Sequence, residues 1–433
     1  MELGSNNKAR EYINDVCSQV RFKEIHKEIS LEIQSHITEL AEEYLNEGFT
    51  ETDSINKAVA QMGDAITVGN QLNKVHKSKP EWGILALTFM LASFGIITNY
   101  LIATQGASYY NPSSILIRSL SFSILGIAAA VGLYFFDYKK IKPYSKYIYI
   151  ITSIFIIYSI LFGRPVNGLL RFSIGPFVIP VEACLLFYVI ALSGIMDNWN
   201  WNQPKNILYS LGLLIFPIIL MLAVPSLDSI LIYSTAFLVL AIMSGAKLKY
   251  ILGIIGSEII IFLFQIFSRP YRVKRFFIFL NPNKDPSGSG YINIQLSKVL
   301  HSAGLLGQGF TFKPGVIPEV HTDFIFAYVV YTFGWIAGLI LIALFISFIV
   351  RIAGLVGLVK NNYGKLLLSG FAAVFSIQFL WNILMVLGLA PLGGTGLPFI
   401  SYGGTQFIIN MIVIGLILGI YRRRNIREIA FYA

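Results

Sequence analysis

The sequence predicts an all-α polytopic membrane protein: about ten transmembrane helices, a small N-terminal cytoplasmic helical domain, and one large extracytoplasmic loop between spans seven and eight. Three observations predict it. Of 433 residues, 55% are hydrophobic and only 13% charged, a balance foreign to ordinary soluble domains. From Trp82 onward the apolar residues fall into ten runs long enough to cross a bilayer, for which roughly 17 to 25 residues suffice at about 1.5 Å each. Residues 1–80 contain no such run and carry nine Lys and Arg against thirteen Asp and Glu, leaving 24 against 10 for the remainder.

The domain expected over 1–80 is helical from Ala9 to about Val75. Ile25, Ile29, Ile33, Ile37, Leu40 and Leu45 recur at three- to five-residue steps among Glu and Lys, the spacing of one buried helical face. Gly48 stops that helix, Thr50 and Thr52 precede a second bearing Ile55, Ala58, Val59 and Met62, and Met62-Gly63-Asp64 breaks the chain again. The stretch from Glu24 to Leu72 resembles the short helical prefix domain found ahead of various bacterial membrane proteins. That resemblance implies regulation or docking rather than chemistry; the alternative is a solvated helical hairpin.

The domain expected over 81–433 has apolar runs near 82–104, 115–136, 145–163, 179–197, 206–224, 229–246, 248–267, 324–350, 365–389 and 404–421. Lys139, Lys140, Lys142, Lys146, Lys205, Lys247, Lys249, Arg351, Lys360, Lys365 and Arg422–Arg424 fall on one side of them. The positive-inside rule makes that side cytoplasmic and places both termini there. Such short basic connectors are topology signals, and no nucleic-acid partner is expected. Cys17 and Cys184 suggest neither a disulfide framework nor a metal site. No cleavable signal peptide is expected, because the first apolar run follows about eighty polar residues.

The loop 268–323 breaks the charge rule, since Arg269, Arg272, Lys274 and Arg275 lie on the outer side. Positive charge there calls for an anionic ligand. The loop ends in Pro318-Glu319-Val320-His321-Thr322-Asp323, just where the apolar run from Phe324 begins. A carboxylate at that boundary is expected at the membrane surface, in the first turn of the next helix. Asp323 is therefore the candidate reactive group. The helix start favours its ionised form, which makes it available as a base but a weak one; partial burial or a neighbouring Glu319 would act the other way. Read alone, an Asp at a helix start is a cap. Glu182, in the fourth span after Pro180, is an intramembrane carboxylate and so a functional candidate, whereas Glu258, in the seventh, matches no motif and is expected as a buried or cavity-lining charge. His301 and His321 are too few for a metal site, and His321 is expected to orient its neighbour.

Arg269 to Arg275, Phe279-Leu280-Asn281-Pro282, Asp285 to Tyr291, Ala303 to Gly309 and Pro318 to Asp323 together resemble the outer loop of the SEDS family, the FtsW/RodA/SpoVE group. Pro398-Phe399-Ile400-Ser401-Tyr402-Gly403-Gly404, with Gln378 and Asn382 in the span before, looks like that family's C-terminal motif. The resemblance covers roughly residues 82–425. It implies a peptidoglycan glycosyltransferase that polymerises lipid II at the outer face of the bacterial cell membrane, with Asp323 catalytic. Asp323 would act as general base, or as ligand of a divalent cation such as Mg or Mn; no organic cofactor is implied. Arg275, with Arg272 and Lys274, would neutralise the leaving diphosphate. Glu319, His321, Thr322, Glu182, Ser401 and Tyr402 are the other substrate-side candidates, although Glu182 has an equal reading as a structural contact, and for Ser401-Tyr402 a helix break is preferred to substrate contact. The resemblance also implies a class B penicillin-binding protein as partner.

Departures from the family pattern are expected to matter. Tyr331-Thr332-Phe333 stand where an acidic pair usually precedes Gly334, Pro225-Ser226-Leu227-Asp228-Ser229 replaces Pro-Asp-Leu-Gly-Thr, Leu185 replaces a Lys, and Arg171-Phe172 an Arg-Trp pair. These keep two alternatives in view: a flippase for the lipid-linked precursor, and a catalytically degenerate scaffold for wall synthesis.

Overall fold

The computed structural model describes residues 6–75, 80–106, 111–166, 169–174, 177–180, 183–223, 227–268 and 270–425. The chain divides into two compact units, Met1–Pro80 with Arg422–Ala433, and Glu81–Tyr421.

The first unit holds α1 (Asn7–Gln19), α2 (His26–Asn46), α3 (Glu51–Gln61) and α4 (Ala65–Val75). Three of these starts have a side-chain cap, and α2 has none. The Asn6 side chain accepts from the amides of Lys8 and Ala9, Thr50 from that of Asp53, and Asp64 from that of Thr67. Gly48 and Gly63, at φ +95° and +85°, provide the left-handed turns that end α2 and α3. Ile29, Ile33 and Ile37 form one stripe of α2, buried with Val16, Ile55 and Ala58. The segment following the last apolar run joins this unit. Arg423, 2% exposed, sends Nε and Nη2 to the two carboxylate oxygens of Glu24, and the Arg422 guanidinium lies 5.1 Å from the centre of the Phe22 ring. The fork-to-carboxylate geometry makes this a specific contact as well as a topology signal.

Asp64 also makes the unit sensitive to pH. Hydrogen bonds from the Thr67 hydroxyl and amide hold its carboxyl below the ordinary carboxylate range. A depressed folded pKa contributes stability that is present above the unfolded value and lost as pH falls through the folded one. In Asp64→Ala, amides 65–68 at the start of α4 are therefore expected to exchange faster than wild type at pH 7. The difference should vanish at a pH below the folded pKa.

In the second unit, each of the ten apolar runs contains one helix. These are α5 (Trp82–Thr104), α6 (Pro112–Phe135), α7 (Ser145–Phe162), α8 (Cys184–Ile195), α9 (Pro204–Ala223), α10 (Leu227–Met243) and α11 (Leu248–Phe267), then α14 (Ile325–Leu358), α15 (Asn362–Val386) and α16 (Gly404–Arg422). Among the described residues, eight candidate spans are long and apolar enough to cross a membrane; α8 and α10 are shorter apolar helices. α15 is the central helix, with α8, α10 and α14 packed on it. The spans are helical as expected, with one small exception beside them. β1 (Arg164–Val166), β2 (Leu169–Ile174) and β3 (Phe177–Pro180) form an antiparallel sheet in that order, so α8 starts only at Cys184.

The long segment before α14 is not an open loop. Its basic stretch is a helix, α12 (Pro270–Leu280), and α13 (Tyr291–Ser302) follows. α14 itself is two helices joined at Gly334, whose backbone sits at φ 87°, ψ 171°. The first piece folds back on the second: the side chain of Val330, with Phe326 beyond it, lies over Gly338. A break inside a span frees backbone groups that lipid cannot satisfy, at a cost of several kcal/mol each. Residues 304–309 satisfy them. Gln308 and Gly309 amides donate to the carbonyls of Tyr331 and Thr332, and those of Trp335 and Ile336 donate to Gly304 and Leu305.

Candidate functional site

Asp323 lies two residues before α14, not in its first turn, and its amide donates to the Glu319 carbonyl at 3.1 Å. Thr322 and Phe324 amides converge on the same oxygen, which makes Glu319–Phe324 a tight turn. Glu319 pays for that turn with a left-handed backbone, φ +51°. The Thr322 hydroxyl lies 3.1 Å from both the carbonyl and carboxylate Oε2 of Glu319.

The Pro398-to-Gly404 motif closes over this turn. Ser401 donates its hydroxyl to the Thr322 carbonyl while accepting the Leu397 amide, and the Tyr402 amide donates to the His321 carbonyl at 2.8 Å. The rings of Tyr402 and His321 stand 5.8 Å apart, and His321 is 5% exposed. Phe399 takes φ +67°, unusual for a bulky side chain. Its ring is clamped at 5.5 Å from Phe348 and 5.6 Å from Phe375. Asn99 of α5 donates to the Ile400 carbonyl, and Gly95 lets that backbone pass so close that a Cβ would stand 2.7 Å from Ile400 Cα.

These contacts put the site below the helix ends. At 1.5 Å per residue, Asn382 lies about 6 Å, Asn99 about 8 Å and Phe375 about 16 Å inside the ends of their helices. Asn382 Nδ2 donates to the Asp323 carbonyl at 2.8 Å. The expected place in the first turn of α14 is thus corrected: Asp323 stands ahead of that helix, half-buried in a recess formed by α15 and the segment 397–402.

Of the basic residues, Arg275 reaches the loop next to the recess, with Nη2 3.4 Å from the Leu392 carbonyl. Arg272 turns back to Tyr271, Gln265 and Ser268, and Lys274 stands 3.9 Å from Asp285. Glu182 and Arg269 lie outside the described residues. Glu258 sits in α11 with a buried Oε1 that has no hydrogen-bond partner. His301 instead lines an apolar cavity of about 480 Å³ with Ser297, Leu300, Trp335 and Leu387.

Among the described residues no three His, Cys, Asp or Glu side chains come together to hold a metal ion. Mg²⁺ commonly needs only one or two carboxylates when substrate phosphates supply further oxygens. Asp323 fits that role with a diphosphate-bearing substrate, and it does not make a site alone.

Sequence reasoning gave no site role to Asp228 and Thr395 and quoted Asn382 only as part of a motif. Asp228, 1% exposed at the start of α10, accepts through Oδ2 from the Gly394 amide and the Thr395 hydroxyl; the Thr395 carbonyl accepts from Asn382. The signal was present in part: Asn382 is an amide in an apolar run, and such groups face the bundle interior.

The fold defines a multi-pass membrane protein in which the turn carrying Asp323 is held by α15 and the segment 397–402. The family model described as "cell cycle protein", for FtsW, RodA and SpoVE, matches residues 81–426, and the chain belongs to that family. It is 28% identical to stage V sporulation protein E of Bacillus subtilis over 361 residues, 80% of this chain and 98% of that protein. It is 34% identical to the probable peptidoglycan glycosyltransferase FtsW of Buchnera aphidicola over 289 residues, 64% of this chain and 81% of that one. A solved structure titled "Structural coordination of polymerization and crosslinking by a peptidoglycan synthase complex" shares the fold, with a TM-score of 0.68 at 21% identity over 80% of this chain and 99% of that chain.

Proposed function

We propose that this chain is a peptidoglycan glycosyltransferase that polymerises lipid II into glycan strands at the outer face of the bacterial cell membrane. The observation that carries the reading is the His321-Thr322-Asp323 turn, gripped through its three carbonyls by Tyr402, Ser401 and Asn382. The names of the relatives support it.

Asp323 is the general base. It takes the proton from the 4-hydroxyl of the acceptor sugar as that oxygen attacks the anomeric carbon of the donor, with inversion and departure of undecaprenyl pyrophosphate. Such positioned proton transfer contributes typically 10²- to 10⁴-fold. Arg275 stands at the rim to neutralise the departing diphosphate, the stronger for its guanidinium fork. Arg272 and Lys274, on the same helix, add to the field without contacting that loop. A divalent cation held by Asp323 and the diphosphate would supply further charge neutralisation. Both termini face the cytoplasm on the charge of the connectors. A class B penicillin-binding protein, crosslinking the new strand, is the partner.

The test is strand formation by the purified full chain from lipid II with Mg²⁺ or Mn²⁺, with and without a class B partner. Polymer that elongates with time supports the reading. No polymer from folded, partner-bound protein overturns it in favour of the scaffold.

A further inference from the structure

We propose that Asp228, Asn382 and Thr395 are positioning residues that set Asp323 relative to Arg275. The proposal rests on the role given to Asp323 above. Asp228 and Asn382 are 1% and 0% exposed and Thr395 3%, so all three groups are shut away from bulk water. A buried carboxylate and a buried amide are costly unless bonded, and here the bonds form a sequence. Asp228 Oδ2 accepts the Gly394 amide at 3.2 Å and the Thr395 hydroxyl. The Thr395 carbonyl accepts Asn382 Nδ2 at 2.8 Å, and the same nitrogen donates to the Asp323 carbonyl at 2.8 Å. An amide nitrogen has two hydrogens, and both are committed.

Asn382 thereby fixes the separation of two backbones, the turn carrying Asp323 and the loop carrying Thr395. The same loop is bonded by Arg275 at Leu392 and packed so closely at Gly393 that a Cβ would stand 3.1 Å from Asp228 Oδ2 and 3.0 Å from Trp381 Nε1. The proposed base and the proposed diphosphate cation are therefore both referenced to residues 392–395. Asp228 is the anchor of that loop, although it sits in a segment whose family pattern is broken.

A merely structural network would cost stability alone, whereas a positioning network must move turnover. The experiment uses the full chain with Thr395→Val, Thr395→Ser, Asn382→Leu and Asp228→Asn. It reads hydrogen exchange of amides 322–324 and, separately, kcat and KM for lipid II. The expected result for Thr395→Val and Asn382→Leu is exchange faster by about tenfold at 322–324 with α1–α4 unchanged. With it, kcat should fall about 10- to 100-fold at unchanged KM, since small misplacements of a reacting group act in that range. Asp228→Asn, whose Oδ1 can still accept the Gly394 amide and the Thr395 hydroxyl, and Thr395→Ser, which keeps the hydroxyl, should both stay near wild type in both readouts. For Thr395→Val and Asn382→Leu, unchanged exchange at 322–324 overturns the network, and faster exchange with wild-type kcat overturns its positioning role. If wild type makes no polymer, the glycosyltransferase reading fails, and the exchange arm still decides whether the network holds the Asp323 turn.

Discussion

Asp323→Ala stops glycan-strand formation, with an expected loss of about 10²- to 10⁴-fold, while the protein stays folded. The separation of effects follows from how the turn is held. Its amide bond to Glu319 and its carbonyl bond from Asn382 are backbone contacts that alanine retains. The neighbouring grips by Ser401 and Tyr402 are likewise made to main-chain oxygens of Thr322 and His321. Asp323→Glu keeps a carboxylate but displaces it by about one methylene, and a misplacement of that size can cost 10²-fold, so glutamate should rescue little. The measurement is strand synthesis by each variant, with thermal midpoints recorded in parallel. Alanine protein that polymerises at the wild-type rate sinks the assignment of the base.

Gly334→Ala is expected to be the most destabilising single methyl in the second unit. The position needs φ +87°, and a Cβ there would stand 2.1 Å from the Leu305 carbonyl oxygen and 2.5 Å from its carbon. Both are backbone atoms, so no side chain can swing aside. Left-handed strain costs about 1–3 kcal/mol, and separating residues 304–309 from the break exposes backbone groups at further cost. A loss of about 3 kcal/mol or more is expected, read as a drop in thermal midpoint of the detergent-purified chain. Gly354→Ala and Gly357→Ala, in the same helix with nothing within 4 Å of a Cβ, are the controls and should change stability little. Equal midpoints for Gly334→Ala and the controls would show that the break relaxes freely.

The ten apolar helices were legible because hydropathy reports the length of a segment that prefers lipid, and their ends agree with the runs to within a few residues for α5, α9 and α11. Direction is another matter. The apolar stretch from Phe324 reads as one span, since a helix folded back at Gly334 has the same composition as a straight one. The sheet from Arg164 to Pro180 was missed because its last strand, Phe177–Pro180, is as apolar as the helix that follows. Within the site, Asp323, His321, Thr322, Ser401 and Tyr402 were readable as motifs, and the structure brings them together. Asp228 was not, because its role depends on Gly394 and Thr395, more than 160 positions away. Arg272 and Lys274 were read as support for Arg275, and their contacts with Gln265, Ser268 and Asp285 set them apart from its contact with Leu392.

The hydrogen bond from Asn99 to Ile400 joins positions 301 residues apart. At about 5–20 residues per second, the ribosome needs roughly 15–60 s to travel from one to the other. During that interval the Asn99 amide has only its bond to the Gly95 carbonyl of its own helix, and the turn at Asp323 has emerged without the segment that closes it. The enclosure of the Asp323 turn is therefore a late product of biogenesis: it is completed only after residues 397–402 have been made.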